Sequence, residues 1–198
     1  MVYAISYQPN PESYPSFEAL DGDRSKIRLE DESRDGGVGI YSSQIFSGRR
    51  LREDHIPTRI SWCSKRSLQD LEGTWLHSVN ERLRSIIEEI EPGVHQFIPV
   101  KFVAKDGCHL GHRFFWQVCN RLDSIHRGKT NWTLKDGVVW FPPEDEQPRL
   151  VFDISRIGVA KFWHDKHRTE GPYITDCVHQ RLEDAGITGI RYHHYSQI

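Results

Sequence analysis

Histidine, cysteine and aspartate side chains lie close together at three places in the sequence, and such groups can bind a metal ion. The three groups are Cys108, His109 and His112; His164, Asp165 and His167; and His193 with His194. A zinc site needs about four ligands, usually taken from closely spaced pairs at two places in a chain. The second group lies among Lys161, Lys166 and Arg168, whose positive charge opposes a cation. The sequence therefore favours surface and loop histidines, and we predict no metal or cofactor.

Motifs that mark enzymatic chemistry are missing from the sequence. It contains no G-x-S-x-G, no H-E-x-x-H, no Walker loop and no dinucleotide glycine fingerprint. Asp153 and His95 are isolated candidates, but an aspartate at a strand end usually caps the next turn, and a histidine in an apolar strand is usually hydrogen-bonded core. We predict a protein that is not an enzyme, with no catalytic residue. The alternative is a metal-dependent hydrolase or nuclease that uses the paired histidines.

Basic residues are concentrated between residues 49 and 66, where cations would engage phosphate and an aromatic ring would stack on a base. They are Arg49, Arg50, Arg52, Arg59, Lys65 and Arg66, with Trp62 between them. Glu53 and Asp54 interrupt the run, and the formal net charge of the chain is −2. A solvated basic face is the favoured interpretation, and an RNA- or DNA-binding module is the weaker alternative.

Two acidic elements would suit a basic protein partner, because charge complementarity speeds encounter and sharpens specificity. One is the segment from Pro142 to Pro148, which composition marks as an exposed loop and which contains Glu144, Asp145 and Glu146. The other lies at the end of a predicted helix and consists of Glu88, Glu89 and Glu91. The simplest interpretation of both elements is solubility.

The clearest secondary structure lies between residues 78 and 122. Apolar residues at helical spacing predict an amphipathic helix that begins after Ser78 or Asn80 and ends at Pro92-Gly93; they are Val79, Leu83, Ile86, Ile87 and Ile90. A strand over 94–103, a turn at 105–107 and a second strand over 111–122 follow. Phe114, Phe115 and Trp116 occupy consecutive positions, so either the second strand is buried on both faces or one ring is exposed.

The remaining pattern is weaker and predicts mostly short elements. We expect strands over 2–7, 38–41, 45–46, 60–63, 149–154 and 187–192, a loop over 12–37, a helical turn over 67–71 and a helix from Thr175 to Gly186. Together these elements predict an α+β fold, a mixed or mainly antiparallel sheet with a few packed helices in a single domain of 198 residues.

Cysteine usage and the chain ends bear on the cellular compartment. The four cysteines stand far apart without paired spacing, and the first residues lack the basic lead and apolar stretch of a signal peptide. No segment approaches the roughly 20 apolar residues that cross a bilayer. We predict a cytoplasmic protein with reduced thiols.

A distributed pattern runs through the later part of the chain. It consists of the predicted central helix followed by Glu91–Val100, the turn at Asp106–Gly107, Leu150–Asp153 followed by Trp163, and Leu182–Gly189. Together these segments resemble the Imm11 (DUF1629, MXAN-0049-type) family, immunity proteins of bacterial polymorphic toxin systems. The resemblance covers about residues 72–195. It divides the chain into a weakly patterned part, 1–71, packed on an Imm11-like core, 72–198.

The resemblance implies a non-enzymatic cytoplasmic protein that binds and neutralises a cognate toxin, often a secreted nuclease of the HNH or AHH type. It implies no direct nucleic-acid or membrane partner. No functional residue carries over, because Pro92, Gly93, Gly186 and Gly189 are positions of the framework. The resemblance favours a role for the acidic loop as a mimic of nucleic-acid phosphate, or as a screen against it, at a basic nuclease surface. Glu144, Asp145 and Glu146 are therefore the predicted toxin-binding residues.

Overall fold

The computed structural model describes residues 1–7, 17–39, 44–64 and 66–198, which form an α+β fold of two six-stranded sheets, a hairpin and three helices. The first sheet runs in the order β11 (Val151–Phe152), β14 (Ile190–Gln197), β1 (Val2–Tyr7), β13 (Tyr173–Thr175), β12 (Phe162–Asp165) and β8 (Arg121–Leu122). The second runs β2 (Phe17–Ala19), β3 (Arg59–Trp62), β6 (Gln96–Ala104), β7 (His109–Gln117), β5 (His77–Val79) and β4 (Leu71–Gly73). Parallel and antiparallel pairs occur in both sheets. The predicted fold class is confirmed.

The helix predicted in the middle of the chain is α1 (Glu81–Ile90), and its start is fixed by Asn80. The Asn80 side chain accepts a hydrogen bond from the backbone N–H of Leu83 at 3.0 Å, as an N-cap residue should. Ile86 and Ile87 lie on the buried face. The prediction from helical spacing is confirmed because this element depends on local pattern alone.

The second predicted strand, over 111–122, was too long. β7 ends at Gln117, and the next strand residues form β8 in the other sheet. The chain crosses between sheets at Asn120, whose Nδ2 donates to the Phe162 carbonyl at 2.8 Å and whose carbonyl accepts from the His164 N–H at 2.8 Å. These partners lie more than forty residues away, so no local pattern marks the crossing.

The C-terminal part of β7, Arg113–Gln117, is largely buried on both faces, which decides between the two alternatives for its consecutive aromatic residues. Trp116 belongs to a core between the two sheets, and Phe115 to a second core on the opposite face. Phe114 is half-buried, with the Arg84 guanidinium 4.4 Å from its ring centroid. β7 therefore contributes side chains to two different hydrophobic cores.

The described residues form three hydrophobic cores. The central core lies between the sheets and includes α1 and the helix α3 (Asp176–Asp184). The second core lies under residues 27–56, and the third covers the free face of the first sheet beneath a hairpin, β9 (Thr133–Lys135) and β10 (Val139–Phe141). No helix in the described part of the chain has the length and apolarity to span a membrane.

Several short predicted elements differ from the structure. Residues 44–46 form a 3₁₀ turn rather than a strand, residues 67–70 are not helical, and β2 lies inside the expected loop. The strand predicted over 149–154 shortens to β11, because Asp153 instead caps α2 (Ile154–Ile157). The strand predicted from 187 begins only at Ile190. The predictions for Ile40 and Tyr41, as part of a strand, and for Lys65, as part of a basic face, concern residues outside the described ranges.

Strands from before and after residue 71 occur in both sheets, since β1 lies between β14 and β13, and β3 lies beside β6. The division into 1–71 and 72–198 stays a prediction.

Candidate partner-binding surface

The β9–β10 hairpin and the acidic loop that follows it form one continuous surface, residues 133–149, which we call the hairpin–loop surface. The hairpin turns at Asp136-Gly137, where both residues have positive φ. Trp140 is buried beneath it in the third core, whereas the next residue, Phe141, is 47% exposed. Successive side chains of a strand point to opposite faces. The Trp140 ring therefore packs the hairpin onto the core, and the Phe141 ring faces solvent.

The acidic loop is held at its C-terminal end by Asn131. The Asn131 side chain accepts from the Arg149 N–H at 2.7 Å and donates to the Gln147 carbonyl at 3.1 Å. Its Nδ2 also donates to a Glu146 carboxylate oxygen at 3.1 Å. Two prolines restrict the loop where it leaves the hairpin, and the hydrogen bonds of Asn131 hold its other end. Both restraints reduce the conformational entropy that the loop would lose on binding a partner.

The predicted site residues Glu144, Asp145 and Glu146 are all exposed. Within the described ranges, the carboxylates of Glu144 and Asp145 have neither an ion pair nor a hydrogen bond. These three consecutive residues are thus accessible, and they follow the exposed Phe141 within five positions of the chain. Lys135 lies on one side of the Phe141 ring, with its Nζ 5.6 Å from the centroid.

The second acidic element is not a uniform surface, because Glu91 is only 8% exposed. Its carboxylate accepts hydrogen bonds from the backbone N–H groups of Lys161 and Phe162 at 2.8 and 3.1 Å. Glu88 accepts from the Gly93 N–H at 3.2 Å, and Glu89 pairs with Arg181 at 3.1 Å. The grouping of Glu91 with solvent-facing acids was wrong, since Glu91 joins the end of α1 to β12.

The basic residues between 49 and 66 mostly serve the fold. Arg49 donates to the carbonyls of Asp31 and Ser33, and Arg50 donates to the Gly93 carbonyl. Arg66 forms a two-bond ion pair with Glu72, which is fully buried, and its guanidinium lies 4.8 Å from the ring of Trp62.

Trp62 is itself only 3% exposed and so offers no stacking face to a base. Arg50, Arg52 and Arg59 remain exposed, but without Trp62 as a stacking face they do not make the predicted nucleic-acid site.

The paired histidines do not converge. His109 and His112 are exposed on β7 with ring centroids 4.8 Å apart, whereas His164 and His167 are buried in another part of the molecule. The His167 Nδ1 lies 3.0 Å from the Val138 carbonyl and so supports the hairpin. Among the described residues, no three histidine, cysteine or acidic side chains are arranged to hold a metal ion.

The two isolated catalytic candidates have structural roles. Asp153 accepts from the Ser155 N–H at 3.0 Å and caps α2, as a strand-end aspartate was expected to do. His95 is buried, with Nε2 2.8 Å from a Glu91 carboxylate oxygen and Nδ1 accepting from the Cys119 N–H at 3.2 Å. The interpretation of His95 as hydrogen-bonded core is confirmed.

Stability should fall in mild acid because His77 and His164 are held neutral. Burial lowers the pKa of His164 from 6.5 to about 3 and that of His77 to about 4. Both pKa values in the folded protein lie below the value of 6.5 in the unfolded chain. The stability that the two neutral rings contribute is therefore complete above pH 6.5 and is lost as pH falls towards 3 to 4. We expect His164 alone to account for roughly 2 kcal/mol lost between pH 6.5 and 4.5.

Urea unfolding at pH 7 and pH 4.5 checks this pH dependence. The variant His164→Phe should show a smaller difference between the two pH values than the unmodified protein. Val178→Ala, which weakens the central core without touching a histidine, should keep the full difference. Equal differences in all three proteins would contradict the assignment to His164.

Sequence reasoning missed Phe141 as a surface residue, although a signal existed. Asp136-Gly137 between Thr133–Lys135 and Val138–Phe141 is a turn dipeptide between strand-like runs, which predicts a hairpin and hence one inward and one outward face.

A family model described as "Immunity protein family (Imm11)" matches residues 32–197. The match begins well before residue 72, where the resemblance in the sequence starts, and it includes the whole hairpin–loop surface. No curated protein matches the sequence.

Proposed function

Because the chain belongs to the Imm11 immunity protein family, we propose that it binds a cognate secreted antibacterial toxin by direct protein–protein contact and neutralises it in the bacterial cytoplasm. In this proposal the protein acts as a stoichiometric inhibitor and not as an enzyme. The observation that carries the binding site is the hairpin–loop surface, where three exposed carboxylates follow an exposed phenylalanine within five positions of the chain.

The chemistry of this surface suits a basic partner. The carboxylates of Glu144 and Asp145 are free to pair with arginine and lysine, and the exposed ring of Phe141, close to them in the chain, supplies an apolar group of the kind that interfaces use as an anchor. A nuclease of the HNH or AHH type is the proposed toxin, because an enzyme that holds nucleic-acid phosphate needs a basic surface. The acidic loop then occupies or screens that surface.

The first test is bacterial growth with the neighbouring open reading frame induced, with and without this protein. Rescue of growth, together with co-purification of the two proteins, is the expected result. A harmless neighbour, or toxicity that persists beside well-folded protein, would count against the proposal. Nuclease activity of the purified neighbour, and its loss on addition of one equivalent of this protein, tests the toxin class separately.

Reversal of the three loop charges, Glu144→Lys with Asp145→Lys and Glu146→Lys, is expected to weaken toxin binding at least 10-fold. Most of the loss should appear in the association rate, and the dependence of affinity on salt should become shallower. Stability should change by no more than about 0.5 kcal/mol, because the three side chains are exposed. Surface plasmon resonance at several salt concentrations measures both effects.

The matched control reverses three exposed acids elsewhere, Glu18, Glu32 and Glu183, and gives the same change in net charge. It should retain near-normal affinity if the loop makes the contact. Equal losses in both triple variants would mean that overall charge, and not the loop, governs binding; no loss in either would remove the loop from the interface.

A further inference from the structure

A small cavity of about 60 Å³ lies where the two sheets meet, away from the hairpin–loop surface. His77 and Trp116 line it from the second sheet, and His164 lines it from β12 in the first. Thr74 and Trp75 complete the polar part of the wall, and the rest is largely apolar. The cavity therefore lies at the joint between the two sheets, next to the central core.

Four buried polar atoms on this wall have no hydrogen-bond partner among the described residues. They are Nε1 of Trp75, Nε1 of Trp116, Nδ1 of His77 and Nδ1 of His164. A buried polar atom without a partner is costly, and such atoms are usually satisfied by protein or by ordered water. Four of them belong to residues that line one cavity, where a small molecule able to form hydrogen bonds would supply the missing partners.

The hydrogen-bonding capacity of each atom follows from its chemical group. An indole Nε1–H only donates. Burial lowers the pKa of His77 to about 4 and that of His164 to about 3, so both imidazoles are neutral. In a neutral imidazole, Nδ1 donates or accepts according to the tautomer. The residues that line the cavity thus supply two indole donors and two neutral imidazole nitrogens.

We propose that this cavity is a binding site for a small cluster of ordered water molecules that hydrogen-bond the two sheets to each other. Water both donates and accepts, so it matches two indole donors together with two imidazole nitrogens in either tautomer. The volume of about 60 Å³ corresponds to roughly two waters at the volume that each occupies in the liquid. A metal ion fits poorly, since two of the four polar groups are indole N–H donors that cannot coordinate it.

The cluster has a route of exchange with solvent. His77 and Phe46 also line a larger, open cavity of about 500 Å³, so these two side chains separate the waters from the surface. Rotation of either ring would let molecules enter or leave. The waters should therefore be ordered but exchangeable.

Water–protein rotating-frame Overhauser spectroscopy tests the proposal on the full chain. Cross-peaks from water to the indole N–H protons of Trp75 and Trp116 are expected, with the sign of direct dipolar contact. The indole of Trp163 is the internal control, because it is buried and donates to Ser124 Oγ at 3.0 Å. It should show no such cross-peak.

Two variants sharpen the result. Thr74→Val removes the hydroxyl that lines the cavity and should leave both cross-peaks, which excludes relay through that exchangeable proton. His164→Phe fills space and removes one imidazole nitrogen that can bond water, and it should abolish or weaken the Trp75 cross-peak. If His164→Phe fails to fold, the cross-peaks of Trp75 and Trp116 in the unmodified protein still show whether water contacts these indoles.

The proposal is overturned if Trp75 and Trp116 show no water contact while their N–H signals are well resolved. A crystal structure in which the imidazole nitrogens bond the indoles directly, or in which the cavity holds a molecule other than water, would overturn it as well.

Discussion

Replacement of Glu91 by alanine should lower the free energy of unfolding by about 3 to 5 kcal/mol, the loss expected when one member of a buried, hydrogen-bonded charged group is removed. Glu91 ends α1, which packs against the second sheet, yet its carboxylate bonds the start of β12 in the first sheet. The substitution therefore cuts a connection between the two sheets. Urea unfolding followed by tryptophan fluorescence measures the loss.

The size of this effect follows from the number of donors left without a partner. The Glu91 carboxylate accepts from the Lys161 and Phe162 N–H groups at 2.8 and 3.1 Å. It also accepts from Asn120 Nδ2 at 3.3 Å, and lies 2.8 Å from Nε2 of the buried His95. Alanine leaves the Lys161 and Phe162 N–H groups and His95 Nε2 without this acceptor, whereas Asn120 keeps its bond to the Phe162 carbonyl; each orphaned donor adds a desolvation cost.

Two variants distinguish this explanation from a general effect of acidic residues in the helix. Glu89→Ala removes an exposed carboxylate whose partner is Arg181 and should cost no more than about 0.5 kcal/mol. Glu91→Gln keeps one acceptor oxygen and should lose less stability than alanine. A loss below about 1 kcal/mol for Glu91→Ala would contradict the role assigned to it.

Elements that depend on neighbouring residues could be predicted from the sequence, and α1 is the clearest case. Its apolar spacing, its cap at Asn80 and its stop at Pro92-Gly93 all lie within a few residues of one another. β8 could not be predicted, because it consists of two residues that pair with β12 some forty positions later. Such short strands exist through their partners and not through a local preference.

The same distinction applies to the candidate site. The exposure of Glu144 to Glu146 agrees with prediction, since a proline-bounded acidic segment has little to bury. Glu91 has the same residue type and a similar acidic neighbourhood, but its environment is set by backbone groups seventy residues away. Charge in a sequence therefore indicates which residues could face a partner. Burial in the folded protein determines which of those residues are exposed.

Gly189→Ala is expected to cost about 3 kcal/mol or more, because two penalties combine at this position. The backbone of Gly189 has φ +87°, where a side chain is strained, and an added Cβ would lie within 2.1 Å of the Leu71 carbonyl oxygen. That carbonyl belongs to β4, whose Leu71 N–H donates to the Thr188 carbonyl at 3.1 Å. A methyl group would thus push apart the contact between β4 and the approach to β14. Thermal and urea unfolding measure the loss.

Gly186 provides the matched control, because it shares the left-handed conformation and lacks the close contact. Its φ is +61°, and no atom lies within 4 Å of the position of an added Cβ. Gly186→Ala should therefore cost only the backbone strain, about 1 kcal/mol. Equal losses at the two positions would show that backbone strain alone makes glycine necessary at Gly189. A loss at Gly189 several times larger would show that the close approach of the two sheets requires it.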